Sequence, residues 1–378
     1  MLNTKDNRIN NNINMLLMQI VIIVTVFSQI REFEFFIRPL MYIAWGVLFI
    51  HVIYGDRGVI RLSNFVLVYI FLYSIYVIYC GVLSLLGYSH INSNYIRLMA
   101  IPLMVMITVS QCEMKMDMTR IIFTYLFATV ALSLYIHIKY IGTIEHWKSS
   151  EIYLVVQKNS LAQIICSAII SSYFILLKDK MSAIVKAVVL LTCIYLLLVL
   201  WLSQCRTAIL AIVLIVLYNF IFNAKHKFIY ILFFTAIVIL CLCNKTISTF
   251  LEKALGLNNY IGADLDKFSS GRLSLYKQAL NIFMQSPIIG VGQYYVDCSY
   301  LSILCESGII GFILIEGIWG YRVILNFRYG IKNKDRYGHL MISLTIFYLI
   351  ESLLEAFPPF GPGVASFMFW TICSIMEQ

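Results

Sequence analysis

Apolar residues in this chain come in blocks of about twenty, and that spacing constrains the fold more than any other feature. An α-helix needs ~20 mostly apolar residues to cross a ~30 Å hydrocarbon core, where irregular backbone and open sheet edges cannot be satisfied. Twelve blocks stand at about 13–30, 38–54, 64–86, 96–111, 121–140, 159–177, 182–203, 207–223, 228–244, 308–326, 339–356 and 363–376. They predict an all-α polytopic integral membrane protein of about 12 transmembrane helices, one domain over 1–378, interrupted by a long loop at 245–307. The fourth block is short, and Pro102 inside it predicts a local kink. Composition agrees, with 61% hydrophobic and 12% charged residues against roughly 45–50% and 25% in soluble domains. A soluble enzyme, a disordered chain, a disulfide scaffold and an outer-membrane barrel are all excluded. The first block runs into Arg31-Glu32 without a small-residue cleavage pattern, so it reads as a retained helix.

The 28 Lys and Arg exceed the 19 Asp and Glu, for a net charge of +9. On a soluble protein this would point to nucleic acid. Between apolar blocks it reads as loop charge that sets orientation, and no nucleic-acid partner is expected. One side of the alternation collects sixteen: Lys5, Arg8, Arg57, Arg61, Lys115, Arg120, Lys178, Lys180, Lys186, Lys225, Lys227, Arg322, Arg328, Lys332, Lys334 and Arg336. The short loops opposite hold seven, namely Arg31, Arg38, Arg97, Lys139, Lys148, Lys158 and Arg206. Basic loops stay inside, which places both termini in the cytoplasm and the long loop outside. Most of the 10 cysteines sit within apolar blocks and read as small hydrophobes. There is no HExxH or paired CxxC, and no two of the 6 histidines have ligand spacing, so neither metal nor cofactor is expected. The inner loops are short and lack a Gly-rich phosphate motif, which argues against ATP hydrolysis.

The polar features gather on the outer side. Ser269-Ser270-Gly271-Arg272 opens a segment that Pro287 must end, with Leu273, Tyr276, Leu280, Phe283 and Met284 on one face. An amphipathic helix is predicted at about 272–286, lying flat on the interface or packed on the bundle. Arg272 falls in its first turn, where backbone amides attract anions and an arginine invites a phosphate. Gly290 and Gly292 then permit a tight turn or a close backbone approach. Asp297 opens a stretch that runs into the tenth helix at Gly308. Asp297 and Tyr300 would share a helical face there, with Glu306 pointing away. Gln204 and Arg206 occupy a short outer connection, where the arginine is a snorkelling anchor or a cation held at headgroup depth. Lys158 and Asn159 open the sixth helix from the same side, and Glu351 and Glu355 are i, i+4 partners just before Pro358 and Pro359.

SQCRTA at 203–208, followed by SSGR, an amphipathic helix and PIIGVG across 269–292, resembles the O-antigen polymerase and ligase superfamily of bacterial inner membranes. In the ligases a His-Asn-like pair stands nine residues before a GxxG. Here Asp297-Cys298 takes that place, ahead of Gly308-Ile309-Ile310-Gly311, and the likeness extends over about 155–325. Aspartate where the ligases carry a catalytic histidine points to a polymerase. The resemblance implies a fold like that of the integral-membrane family C glycosyltransferases, in the inner membrane, with the active site facing the periplasm. The implied partners are an oligosaccharide on undecaprenyl pyrophosphate, membrane lipids, and a chain-length regulator protein.

Glycosyl transfer from a lipid pyrophosphate builds negative charge on the leaving group, and without a metal fixed cations must meet it. On that reading Arg206 and Arg272 face the pyrophosphate, Lys158 stands third, and Asp297 is the first choice of base, with Glu351 and Glu306 as alternatives. Asn159, Gln204, Gly290, Gly292, Tyr300, Glu306 and Glu351 join Lys158 in substrate binding. The alternatives are an O-antigen ligase and, from a different class, a transporter or flippase of lipid-linked sugars. Transporters favour inverted repeats and ionisable residues at mid-span, positions that are here nearly free of charge.

Overall fold

The structure is a computed structural model that describes residues 2–55, 62–88, 93–112, 118–139, 156–178, 181–203, 205–223, 266, 269, 271–361 and 364–378. Among the described residues every regular element is helical. In chain order these are α1 (Leu2–Phe27), α2 (Glu34–Gly55), α3 (Asn64–Leu85), α4 (Ser93–Ser110), α5 (Met118–Lys139) and α6 (Lys158–Leu176). They continue with α7 (Ala183–Ser203), α8 (Arg206–Asn223), α9 (Arg272–Phe283), α10 (Ser299–Lys332), α11 (Arg336–Leu354) and α12 (Val364–Met376). A single 3-10 turn, Arg31–Phe33, leads into α2.

Seven of these helices are long and apolar enough to cross a membrane: α2, α3, α5, α6, α7, α10 and α11. Shorter apolar helices fill α1, α4, α8 and α12, so eleven expected blocks coincide with helices. The ninth expected block, 228–244, lies outside the described residues, as does most of the loop before Gly271. Local chemistry fixes several starts. Ser63 caps α3 by accepting from the Val66 amide at 3.2 Å, and Asp335 caps α11 through Gly338 at 2.9 Å. Helix α4 continues through Pro102.

Helix α6 is the hub of the bundle, packed on α5, α7, α8, α11 and α12. Half of its buried positions are small: Ser160, Ala162, Cys166, Ser167, Ala168, Ser171 and Ser172. Small side chains let helix backbones approach closely where no water is available to drive packing. The ionisable Glu316 lies within α10 with one carboxylate oxygen unpartnered among the described residues.

Two expectations are corrected here. The tenth helix begins before Gly308, at Ser299, and Gly308 is instead a break inside it, with φ 63° and ψ −168°. Asp297 precedes the helix altogether, since the extended Cys298 is its N-cap, so Asp297 and Tyr300 share no helical face. The break has a reason. Val291 donates to the Cys305 carbonyl at 2.8 Å, Gly292 to Glu306 at 3.2 Å, and Ile309 to Pro287 at 2.9 Å. The 287–292 loop thereby takes up backbone groups that the broken turn leaves open. A Cβ on Gly290 would strike the Glu306 backbone, and one on Gly308 the Ile288 backbone. Both glycines also have positive φ, so the close approach expected of Gly290 is what the loop requires.

Helix α9 packs on the bundle through Tyr276, Ala279, Ile282 and Phe283, against Val296, Leu301 and Cys305. Leu273, Leu280 and Met284 stay exposed on its outer edge. At the opposite end of the bundle, buried Arg322 pairs with Glu377, which also accepts from Ser63 at 2.5 Å. That contact ties α10, α12 and the start of α3 together.

Candidate functional site

Three helices start at one end of the bundle with a cation in their first position: Lys158 in α6, Arg206 in α8 and Arg272 in α9. Helix starts carry the positive end of the peptide dipoles, which favours an anion beside them, although at α9 the first amides are already taken up by Ser269 and Asp266. Side-chain contacts show that the three starts converge. Arg272 Nη1 lies 3.5 Å from Thr207 Oγ1, and Cys205 Sγ lies 3.8 Å from Asn159 Oδ1. Asn159 Nδ2 donates to Glu355 Oε1 at 2.7 Å, and Arg272 Nη2 approaches the same oxygen at 3.4 Å. Lys158 is within electrostatic reach of Cys205 and Arg206.

The start of α9 is built by its own segment. Ser269 Oγ accepts from the Leu273 amide at 3.3 Å and Asp266 Oδ1 from Ser274 at 2.8 Å, with Gly271 in the left-handed region at φ 80°. The N-cap position is Gly271, which has no side chain to accept with, so Ser269 and Asp266 meet the first-turn amides from just before it. Tyr276, one turn on, holds the site from below. Its hydroxyl is 2.8 Å from the carbonyls of both Asp297 and Leu353, joining the 295–298 loop to the end of α11.

Asp297 and Arg272, singled out from sequence, meet at 3.9 Å, and Tyr295 donates to the other Asp297 oxygen at 2.8 Å. Burial pushes the Tyr276 phenol up to about 12. It also raises Tyr295, helped by the bond to Asp297. Both tyrosines therefore remain donors at neutral pH. Burial likewise lifts the Cys205 thiol to about 12, which keeps it an uncharged neighbour of Asn159. Glu355 is the pivot. Burial, and next the charge of Asp297, raise it to about 7 against the pull of Arg272 and Asn159. Glu351, one turn earlier and buried, accepts from Gln163 at 2.9 Å, and its second oxygen has no partner among the described residues.

Arg272 is positioned but unsaturated. Its contacts of 3.4, 3.5 and 3.9 Å are all longer than the ~2.8 Å of a tight charge-assisted bond. A guanidinium has five N–H donors, and a bound anion could draw it into closer bonds. Arg206 is half-buried beside Thr207.

The remaining expected residues divide. Lys158, Asn159, Arg206, Arg272, Asp297 and Glu351 come together. Gly290, Gly292 and Glu306 line a separate cavity of about 250 Å³ with Tyr79, Tyr88 and Ser307. Tyr300 packs half-buried against the main core, and Gln204 lies outside the described residues. Among the described residues no three His, Cys, Asp or Glu side chains gather as a metal would need. Gln163, Thr207 and Tyr295 do not stand out in the sequence. A signal existed for Gln163, a polar residue four positions after Asn159 in an apolar helix. Thr207 simply follows Arg206, and nothing local marks Tyr295.

Fold and site together define a class: a multi-pass helical membrane protein with a cationic cluster, buttressed by carboxylates, at one end of its bundle. Residues 191–315 match a family model described as O-antigen ligase, which supports the O-antigen polymerase and ligase superfamily. The matched stretch contains Arg206, Arg272 and Asp297. No curated protein matches the chain.

Proposed function

We propose that this protein is an O-antigen polymerase, which joins oligosaccharide repeat units carried on undecaprenyl pyrophosphate at the periplasmic face of the inner membrane. The observation that carries this reading is the convergence of three helix starts, each opened by a cation: Asn159 of α6 and Arg272 of α9 both reach Glu355, and Thr207 of α8 meets Arg272. In the reaction an acceptor sugar hydroxyl attacks the anomeric carbon of the donor, and the bond to the pyrophosphate oxygen breaks. The negative charge that develops there is met by Arg272 and Arg206, with Lys158 at the next helix start. The hydroxyl proton passes to a carboxylate. Glu355 suits this better than Asp297, because its affinity for a proton lies near neutral pH and Asn159 fixes its orientation. Asp297 then steadies Arg272.

Aspartate at 297, where the ligases carry histidine, favours polymerase over ligase. The test is a gel of lipopolysaccharide from cells lacking the gene. A core bearing one repeat unit supports the polymerase. A bare core with polymer left on its carrier indicates a ligase instead. A bare core with single units held on the cytoplasmic side indicates a flippase. In complementation, Arg206→Ala and Arg272→Ala, made singly, should each reduce polymer formation about 10²–10³-fold, as removing one oxyanion donor does. Long chains persisting in both variants would overturn the mechanism.

A further inference from the structure

A larger recess of about 550 Å³ opens at the same end of the bundle, between α1, α2, α4, α6 and α12. Its rim is polar and carries Arg31, Arg38, Gln157 and Ser160. Glu34 pairs with Arg38, so the rim keeps a net positive charge from Arg31. Its depth is apolar, walled by Met41, Trp45, Ile101, Met104 and Phe367. Gly46, also on the wall, lies eight residues beyond Arg38, or ~12 Å further along the α2 axis. The recess therefore runs from headgroup level into the apolar layer. Helix α2 is poorly covered, and Phe36, Leu40, Ile43, Val47 and Ile50 face outward from it. A hydrocarbon chain could enter sideways from the bilayer.

The recess also adjoins the cationic cluster. Gln157 and Ser160 line it, while Asn159, in the same turn of α6, reaches Glu355. Lys158 stands between them. A molecule with its chain in the recess would thus present its head to the site across a single helical turn. We infer that the recess holds the isoprenoid chain of one lipid-phosphate substrate, its phosphate lying between Arg31 and the first turn of α6. The inference rests on the proposed reading that the substrate is a lipid pyrophosphate, and it adds where the lipid is gripped.

Gly46 supplies the test, because a Cβ built there meets nothing within 4 Å. Gly46→Phe should fill the recess without disturbing the packing around it, and Gly46→Ala should leave it open. The full chain, with a benzophenone amino acid at Met104, is placed in phospholipid nanodiscs with radiolabelled undecaprenyl phosphate and irradiated. Labelling is expected at Met104, displaced by unlabelled undecaprenyl phosphate but not by an equal amount of dioleoyl phosphatidic acid. Gly46→Phe should reduce labelling about tenfold, and Gly46→Ala should not. Equal displacement by phosphatidic acid would show a groove for bulk lipid and overturn the inference. So would labelling indifferent to Gly46→Phe. The readout needs no turnover, so it separates the two ideas. Specific labelling with long chains surviving in Arg206→Ala and Arg272→Ala would retain the recess and remove the mechanism. Unspecific labelling with chains lost in those variants would do the reverse.

Discussion

Glu355 shows how one residue can set the pH response of the site. Burial holds its carboxyl at about 7, against 4.5 for an exposed glutamate. Between those values the folded protein keeps a proton that the unfolded chain has released. Stability must therefore fall as pH rises through that window, by an amount of order 3 kcal/mol for the one group. Glu355→Gln removes the titration, so its melting temperature should change less between pH 5 and 7.5 than the wild type's. If Glu355 is the base of the proposed reaction, polymer synthesis should behave oppositely in the wild type, rising through about pH 7 as the carboxylate forms. The variant should lose about 10²-fold in rate together with that rise. An unaltered pH profile for synthesis in Glu355→Gln would assign the proton to another group. The sequence already showed Arg206, Arg272 and Lys158, because cations at helix starts stand out in a chain so poor in charge. Thr207 stayed hidden, because a neutral polar residue gains meaning only from the partner a distant helix brings to it, and Gln163 showed only as a polar residue in an apolar helix.

At the scale of elements, the loop 287–292 and the broken turn at Gly308 behave as one unit. Their backbones exchange hydrogen bonds, and neither glycine has room for a side chain. Gly308→Ala must accept positive φ, which costs about 1–2 kcal/mol, and must also push the Ile288 backbone aside, which costs about 1–3 kcal/mol more. A clearly lowered melting temperature in detergent is expected. Gly320→Ala in the same helix meets nothing within 4 Å and should be neutral or gain up to about 1 kcal/mol. If the two variants melted alike, the loop would not be locked to the break. The apolar blocks located eleven helices because a span of ~20 residues is a strong local signal. The early start of α10 was not legible. Its first turns are only mildly amphipathic, and Gly308, which looks like a helix start, breaks the helix because a loop from elsewhere in sequence leans on it.

Among the described residues the bundle carries a polar cluster at each end. Arg272, Glu355 and Asn159 mark one end, and Arg322, Glu377 and Ser63 the other. The two clusters lie at opposite ends of the bundle, and the excess of Lys and Arg in the loops on the Arg322 side predicts that this side faces the cytoplasm. Cysteine labelling tests it against a low background, since the eight described native cysteines are all buried. Lys277→Cys on α9 and Lys334→Cys between α10 and α11 both replace exposed residues. In spheroplasts an impermeant maleimide should modify the first and spare the second until the membrane is opened. The reverse pattern would turn the Arg272 cluster to the cytoplasm, where nucleotide-activated sugars rather than translocated lipid-linked units would meet it. Modification of both in sealed cells would mean that the basic loops do not all lie on one side. The cationic cluster and the recess beside α2 share one end of the bundle, so a single labelling pattern reports on the membrane face of both.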